Sequence, residues 1–382
     1  MFTDSTSGSV SDGSIRGVRT ASRRPPAYLA TSSRRKRAPW DNQLMAPGSM
    51  QAMLLPAQAP IDRAPLTLQL LPRPEPGPLE IRARVRACAA CRTDLHVIEG
   101  DLPPRRLPIV PGHQVVGVVD ALGPGSSRFA LGSRIGIAWL RSTCGTCRYC
   151  RAQRENLCEA SSYTGWSHDG GYAQYCCVPE AWAYAIPPAF EDAEATPLLC
   201  AGIIGYRALV RSGVPRGGRL ALYGFGSSAH ITLQVARHWG CRVWVVTRDE
   251  AHRLLALELG AEWAGADPSS LPVRADGAII FAPAGGLVPA ALKGLDKGAT
   301  LALAGIYMSD VPAMAYEPHL FWEKTVRSVT ANTREDGVAL LAEAAAIPIR
   351  PRVHRYGLAD ANHALLDLAR DRVEGTAVLM LD

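Results

Sequence analysis

A chain of 382 residues has material for two domains and their cores. With 47% hydrophobic and 20% charged residues, and no apolar run near the roughly 18 residues of a membrane span, it reads as an ordinary globular protein. The net charge of +6 points to nucleic acid only until it is located: residues 1–49 hold seven Arg, one Lys and three Asp, a balance of +5, and the folded remainder is nearly neutral.

Residues 1–49 are rich in Ser, Arg and Pro and lack apolar periodicity. They cannot bury enough surface to offset chain entropy, which predicts a disordered basic tail. Sequence translated upstream of a start near Met50 or Met53, a transit-like peptide, and a nucleic-acid arm around SRRKR are three readings of it. From Met53 the pattern is that of a folded chain. LEIRARVRACA alternates apolar and polar residues, as a half-buried strand does. PIVPGHQVVGVVDALGPG, GSRIGIAW and GGYAQYCCVPEAWAYAIP read as further strands with Gly and Pro turns, so residues 53–190 are mostly β.

After Pro197 the texture changes. RLALYGFG is a strand running into glycines, SSAHITLQVARHWG a helix ended by Gly240, CRVWVVT a strand and DEAHRLLALELG a helix. DGAIIFAP and ATLALAGI are short apolar runs of buried-strand type. Strands alternating with helices predict a doubly wound parallel sheet. The C-terminal segment from Gly357 reads as a helix and then a strand that returns to the first domain.

The stretch CGTCRYCRAQRENLC places Cys144, Cys147, Cys150 and Cys158 with gaps of two, two and seven residues. Such spacing turns four thiolates toward one tetrahedral ion, a closed structural zinc site with no position for substrate. In YGFGSSA, Gly224 permits a tight turn, Gly226 lets a pyrophosphate approach the backbone, and Ala229 takes the third small position, where helix and strand pack closely. The next strand ends at Thr247 and Arg248 rather than at a carboxylate. A hydroxyl and a guanidinium suit a 2′-phosphate better than a ribose diol, so NADP(H) is favoured over NAD(H). Asp249 and Glu250 fall in the first turn of the following helix.

Together with CRTDLH, PGHQ and PLLCAGIIGYRAL, in this order, these motifs make residues 50–382 resemble the zinc-dependent alcohol dehydrogenases of the medium-chain dehydrogenase/reductase superfamily. The resemblance implies an α/β protein: a Rossmann-type doubly wound parallel sheet domain plus a mostly β, GroES-like catalytic domain that carries the structural-zinc lobe. It divides the chain into the tail at 1–49, a catalytic domain at 50–199, a cofactor domain at 200–335 and a return to the catalytic domain at 336–382. Cys91, His113 and Cys200 match the ligands of a catalytic zinc, giving two Zn2+ per chain. Thr93 matches the hydroxyl that meets the substrate alcohol, His96 the outer member of a proton relay, and Asp94 the carboxylate that orients the His ligand.

Two departures stand out. Gln114 replaces the usual Glu after the Pro-Gly-His histidine, and Ile204 stands where the family often has Thr. Trp139 and Leu102 match pocket walls, Leu102 replacing a Trp of members specialised for very small alcohols; Tyr163 and Trp166 read equally well as core or pocket. The implied reaction is hydride transfer between a primary or secondary alcohol, or its carbonyl, and a nicotinamide. The resemblance also implies a cytoplasmic homo-oligomer, dimer or tetramer, with no nucleic-acid or membrane partner. A zinc-independent quinone or enone reductase of the same superfamily and a zinc-containing nucleic-acid binder are the alternatives.

Overall fold

The computed structural model describes residues 47–347 and 349–381, so the tail expected at 1–49 lies outside the described residues except for its last three. The folded pattern begins earlier than its apparent onset at Met53. Strand Ser49–Leu54 pairs antiparallel with Thr67–Pro72, and Met50 is buried in the core.

Two larger sheets follow. A mixed sheet runs in the order Val353–Gly357, Thr376–Met380, Glu80–Ala90, Gln114–Leu122, Arg134–Ile137, Ala183–Ala185, with Tyr175–Pro179 also pairing with Glu80–Ala90. Its first two strands are parallel, and the other pairs are antiparallel. The C-terminal strand Thr376–Met380 therefore lies beside Glu80–Ala90, almost three hundred residues away in the chain.

The second sheet is wholly parallel. Its spatial order is Trp263–Gly265, Arg242–Val246, Arg219–Tyr223, Ala275–Ile280, Leu295–Leu303, Thr325–Ser328. In chain order this is 3-2-1-4-5-6, the doubly wound arrangement, with its switch point between the first and fourth strands. Side chains alternate between faces along each strand. Leu220, Leu222, Val243, Val245 and Ile279 pack with helices Ala201–Ser212, Ser227–His238 and Arg334–Ala346. Ala221, Tyr223, Ala278, Ile280 and Leu301 pack with helix Val288–Gly294. The helices Arg92–Glu99 and Ala201–Ser212 were not evident from periodicity; both start at cysteines. Among the described residues no single helix is long and apolar enough to cross a membrane.

Glycines set the close approaches that position the chemistry. A side chain at Gly170 would lie 2.0 Å from the Gly112 carbonyl oxygen and 2.7 Å from that of Pro111, and one at Gly165 would lie 2.8 Å from the Gly112 nitrogen. The segment preceding His113 thus rests backbone against backbone on residues 165–172, tied by Gly170 N–H to Val110 O (2.7 Å), Gly171 N–H to Gly112 O (2.9 Å) and Tyr172 N–H to Pro111 O (3.0 Å). Gly170→Ala must pry these layers apart, and it should lower stability in urea denaturation by about 1–3 kcal/mol. A loss smaller than roughly 0.5 kcal/mol, the scale of a surface substitution, would show that the contact is not tight.

Candidate functional site

Strand Glu80–Ala90 ends at Cys91, whose extended backbone (φ −141°, ψ 179°) makes it the N-cap of helix Arg92–Glu99. The third residue of that helix is Asp94, 1% exposed. Its Oδ2 accepts the Cys91 backbone N–H at 2.9 Å, as the acidic member of a capping box does. Its Oδ1 accepts from His113 Nδ1 at 3.0 Å. One carboxylate therefore caps the helix and fixes an imidazole. With Nδ1 donating to Asp94, Nε2 is the ring nitrogen that faces Cys91 Sγ, at 3.4 Å.

Cys200 arrives from the other direction, as the N-cap of helix Ala201–Ser212. The ligand atoms of Cys91, His113 and Cys200 lie within 4.8 Å of one another. A tetrahedral zinc with Zn–S of about 2.3 Å and Zn–N of about 2.0–2.1 Å would place neighbouring ligand atoms about 3.5–3.8 Å apart. The three donors fit that ion with little adjustment and leave one position open. His113 is fully buried, while the two cysteines are half-buried.

The protonation states suit a cation. The Cys200 thiol donates to Cys91 and, against the effect of burial and with help from His113, holds Cys91 well below the usual thiol range. The same hydrogen bond, with burial, pushes Cys200 up. Burial opposes charge on His113, but the Asp94 carboxylate and the Cys91 thiolate outweigh it and raise the imidazole to about 10. Protons occupy the place of a positive ion and leave when a metal binds.

Thr93 is half-buried on the first turn of the helix, and its hydroxyl reaches the Cys91 thiolate. His96 stands three residues further along the same helix. Its Nδ1 pairs with Asp101 Oδ2 at 2.7 Å, and its ring stacks on Tyr307 with centroids 4.9 Å apart and planes at 20°. The Tyr307 hydroxyl donates to the Asp101 carbonyl. Gln114 is fully buried; its Nε2 reaches only the Ala89 carbonyl at 3.5 Å, and its Oε1 has no partner among the described residues.

The four-cysteine lobe is gathered as its spacing predicts. Sγ atoms of Cys144 and Cys158 are 3.5 Å apart, those of Cys147 and Cys150 3.6 Å, and those of Cys144 and Cys150 3.9 Å. These edges match the roughly 3.8 Å expected of a tetrahedral zinc site built from four thiolates. Backbone N–H groups of Thr146 and Cys147, aimed at Cys144, draw its thiol down to about 6. The strand pair Leu140–Ser142 and Ser162–Tyr163 closes the base of the loop.

At the switch point of the parallel sheet, Gly224 has φ +87°, and a side chain there would lie 2.8 Å from the Ala282 nitrogen on the neighbouring crossover. Gly226 caps helix Ser227–His238, and a side chain there would enter open space. Ala229 is fully buried. This is the shape of a cradle for a dinucleotide pyrophosphate at a helix N-terminus. Thr247 is buried at the end of its strand and Arg248 is exposed. Asp249 caps the next helix, accepting the His252 N–H at 2.9 Å, so its carboxylate is already engaged. Arg253, unremarked in the sequence, donates to the carbonyls of Thr247 (3.1 Å) and Arg248 (2.5 Å) and holds this turn.

Trp139 meets the His113 ring edge-on at 5.1 Å, and Tyr163 and Trp166 join it. Leu102 is anchored by its N–H to the His96 carbonyl (3.0 Å) and by Gln58 Nε2 to its own carbonyl (2.9 Å). Ile204 is half-buried one turn beyond Cys200. The partners Asp101, Tyr307 and Arg253 were not found from the sequence, which carries no motif for them.

Comparison with known proteins agrees with this geometry. Residues 77–188 match the alcohol dehydrogenase GroES-like domain family. The probable alcohol dehydrogenase AdhA of Mycobacterium tuberculosis (strain CDC 1551 / Oshkosh) is 49% identical over 338 residues, covering 87% of this chain and 98% of its own. An alcohol dehydrogenase of Geobacillus stearothermophilus is 34% identical over 329 residues, covering 83% and 96%. A crystal structure of an NAD-dependent alcohol dehydrogenase superposes with a TM-score of 0.80 at 26% identity, covering 87% of this chain and all of that one. The ligand cluster, the four-cysteine lobe, the glycine cradle and these relatives together make the chain a member of the zinc-dependent alcohol dehydrogenase family of the medium-chain dehydrogenase/reductase superfamily.

Proposed function

We propose that Cys91, His113 and Cys200 hold the catalytic zinc of this alcohol dehydrogenase, and that hydride passes there between a primary or secondary alcohol, or its carbonyl, and a nicotinamide seated on the Gly224–Ala229 loop. The open three-ligand set carries the reading, because it leaves one tetrahedral position for a substrate oxygen. When bound, zinc supplies the Lewis acidity that lowers the pKa of an alcohol hydroxyl, and the nicotinamide supplies the hydride acceptor.

The chain's own residues do the rest. Asp94 holds the His113 ring so that Nε2 faces the other two ligands. Thr93 orients the substrate hydroxyl through Oγ1. His96, its Nδ1 held by Asp101, offers Nε2 as the point from which the proton leaves to solvent. Gln114 would put a neutral, buried amide rather than a carboxylate at the position next to His113.

We read the four-cysteine lobe as a second, structural zinc site. The cofactor is NADP(H) in preference to NAD(H): Thr247 and the exposed Arg248 stand beside a turn held by Arg253, and the nearest carboxylate, Asp249, is taken up by its helix. Residues 50–199 and 336–382 form the catalytic part in this reading, and 200–335 the cofactor part. Among the described residues, edge strand Thr325–Ser328 has a neighbour on one side only, and Tyr316, Phe321, Trp322 and Val326 close to it are 38–64% exposed, which supports a homo-oligomer built on that edge. Six of the ten cysteines are metal ligands in this reading, a use of thiols that suits a reducing compartment and supports a cytoplasmic location.

Three measurements test these assignments. Metal analysis should find about two zinc ions per chain; Cys150→Ser should chiefly lower the melting temperature, because it opens a closed sphere, and Cys91→Ser should chiefly lower turnover. If Cys150→Ser melted normally and Cys91→Ser turned over normally, the two sites would be wrongly assigned. Gly226→Ala adds a methyl to open space, so its melting temperature without cofactor should stay at the wild-type value while the cofactor Kd rises about ten- to a hundredfold from steric conflict. Unchanged cofactor binding would remove the pyrophosphate from this loop. Arg248→Ala should erase most of a wild-type preference for NADPH of about ten- to a hundredfold in kcat/KM, acting through KM, since the 2′-phosphate is far from the reacting carbon. A wild type that favours NADH would overturn the NADP(H) reading.

A further inference from the structure

His96 is gripped from two parts of the chain. Its own helix turns at Gly100, and Asp101 then brings Oδ2 to 2.7 Å from His96 Nδ1. The Leu102 N–H closes this turn on the His96 carbonyl at 3.0 Å. Tyr307 comes from the cofactor part, on the segment that leaves the carboxyl end of parallel strand Leu295–Leu303. Its ring stacks on the imidazole, centroids 4.9 Å apart and planes at 20°, and its hydroxyl donates to the Asp101 carbonyl. Asp101 therefore holds the histidine with its side chain and the tyrosine with its backbone.

Packing does not account for Tyr307. It is 56% exposed, and its backbone is held at φ +54°. A non-glycine residue stays in the left-handed region only where its surroundings fix it, and such residues gather at functional places. Here the surroundings are close. The Ala304 N–H donates to the Ile280 carbonyl at 2.8 Å, and Ser309 Oγ accepts the Gly285 N–H at 3.0 Å. A side chain on Gly305 would lie 2.8 Å from the Ala282 carbonyl oxygen, and one on Gly285 would lie 2.3 Å from that of Asp310. Both feet of segment 304–310 thus stand on segment 280–285, with Tyr307 carried between them. His96 lies in the last turn of its helix, and yet its side chain is only 16% exposed.

We infer that Tyr307 is a positioning residue of the proton relay: carried by the cofactor part, it holds the His96 imidazole of the catalytic part in the orientation from which the proton leaves. The inference rests on the reading of His96 as the proton's exit. With Nδ1 bonded to Asp101, Nε2 is left to take a proton and pass it to water, and the Asp101 carboxylate balances the imidazolium formed in between. An imidazole free to turn about its side-chain bonds spends part of its time with Nε2 facing away. The stack confines the ring to one plane, and the tyrosine hydroxyl fixes the turn that carries Asp101. Loss of one aromatic pair or one hydrogen bond lowers the share of correctly held rings by about two- to tenfold. The proton exit is thus assembled by both parts of the chain together.

Labelling of His96 by diethyl pyrocarbonate, read by mass spectrometry of its peptide, reports this clasp without reference to turnover. In the full-length protein without alcohol, Tyr307→Leu should label about two- to tenfold faster than wild type, and Tyr307→Phe, which keeps the ring, should fall between the two. The rate of the first turnover of alcohol with oxidised cofactor, followed by nicotinamide absorbance, should fall by a similar factor in Tyr307→Leu, with the half-saturating alcohol concentration within about twofold of wild type. Adding Tyr307→Leu to His96→Gln should slow that turnover no further, because the tyrosine acts through the histidine. Wild-type labelling in both tyrosine variants, a wild-type first turnover in Tyr307→Leu beside a slow His96→Gln, or losses that multiply in the double variant would overturn the inference and leave the relay standing. A His96→Gln enzyme as fast as wild type would overturn the relay reading itself, and the inference with it.

Discussion

A single buried carboxylate organises the reaction centre. Asp94 is 1% exposed, and an ionised carboxylate in such a place is costly unless its lone pairs are met. Here they are met by the Cys91 N–H and the His113 ring. Those two contacts tie the end of strand Glu80–Ala90, the start of helix Arg92–Glu99 and the loop before strand Gln114–Leu122 into one unit. Cys91, the helix that carries Thr93 and His96, and the orientation of the His113 ring all depend on it. Burial, with the Cys91 thiolate, raises the Asp94 carboxyl above its usual range, against the pull of the facing imidazole and the Cys91 N–H.

The third ligand is positioned by a different device. Residues 196–212 run from the mixed sheet to the parallel one, and both ends are seated on glycine contacts. Leu199 packs against Gly136 so closely that a side chain on that glycine would lie 2.6 Å from it. Further along, a side chain on Gly205 would lie 2.2 Å from the hydroxyl of Thr232, on the helix that follows the glycine loop. Cys200 stands between these two contacts. Cys200 and the helix after the glycine loop are thereby held in fixed relation by close packing of side chains onto glycines, which yields little to small displacements.

What could be read in advance follows chain distance. The Cys144–Cys158 lobe was legible because its four ligands lie within one loop, where spacing nearly dictates geometry. The glycine loop was legible because strand, turn and helix are consecutive, and Asp249 could be set aside as a helix residue because a cap is a local matter. The helix at Arg92 was missed because its eight residues are too short for a periodic signal and its start is marked by a cysteine. The onset of the fold was placed at Met53 rather than Ser49 because the first strand's stability comes from pairing with Thr67–Pro72, not from its own composition. Asp101 and Tyr307, which hold His96, are 206 residues apart and belong to no motif.

The sequence by itself determined the gathering of the four-cysteine lobe, the strand, glycine turn and helix at Gly224, and the alternation of strands and helices, because each is written within a few turns of chain. Only the tertiary structure decided that Cys91, His113 and Cys200, spread over more than a hundred residues, bring their donor atoms within 4.8 Å of one another. It also decided that Tyr163 and Trp166 stand against Trp139, with Tyr163 packing on the core as well, and that Gln114 is buried without a partner for its oxygen among the described residues. The physical reason is common to all three. A side chain's type sets which contacts it can make, but its burial and its neighbours come from the packing of segments distant in sequence, which no local pattern encodes.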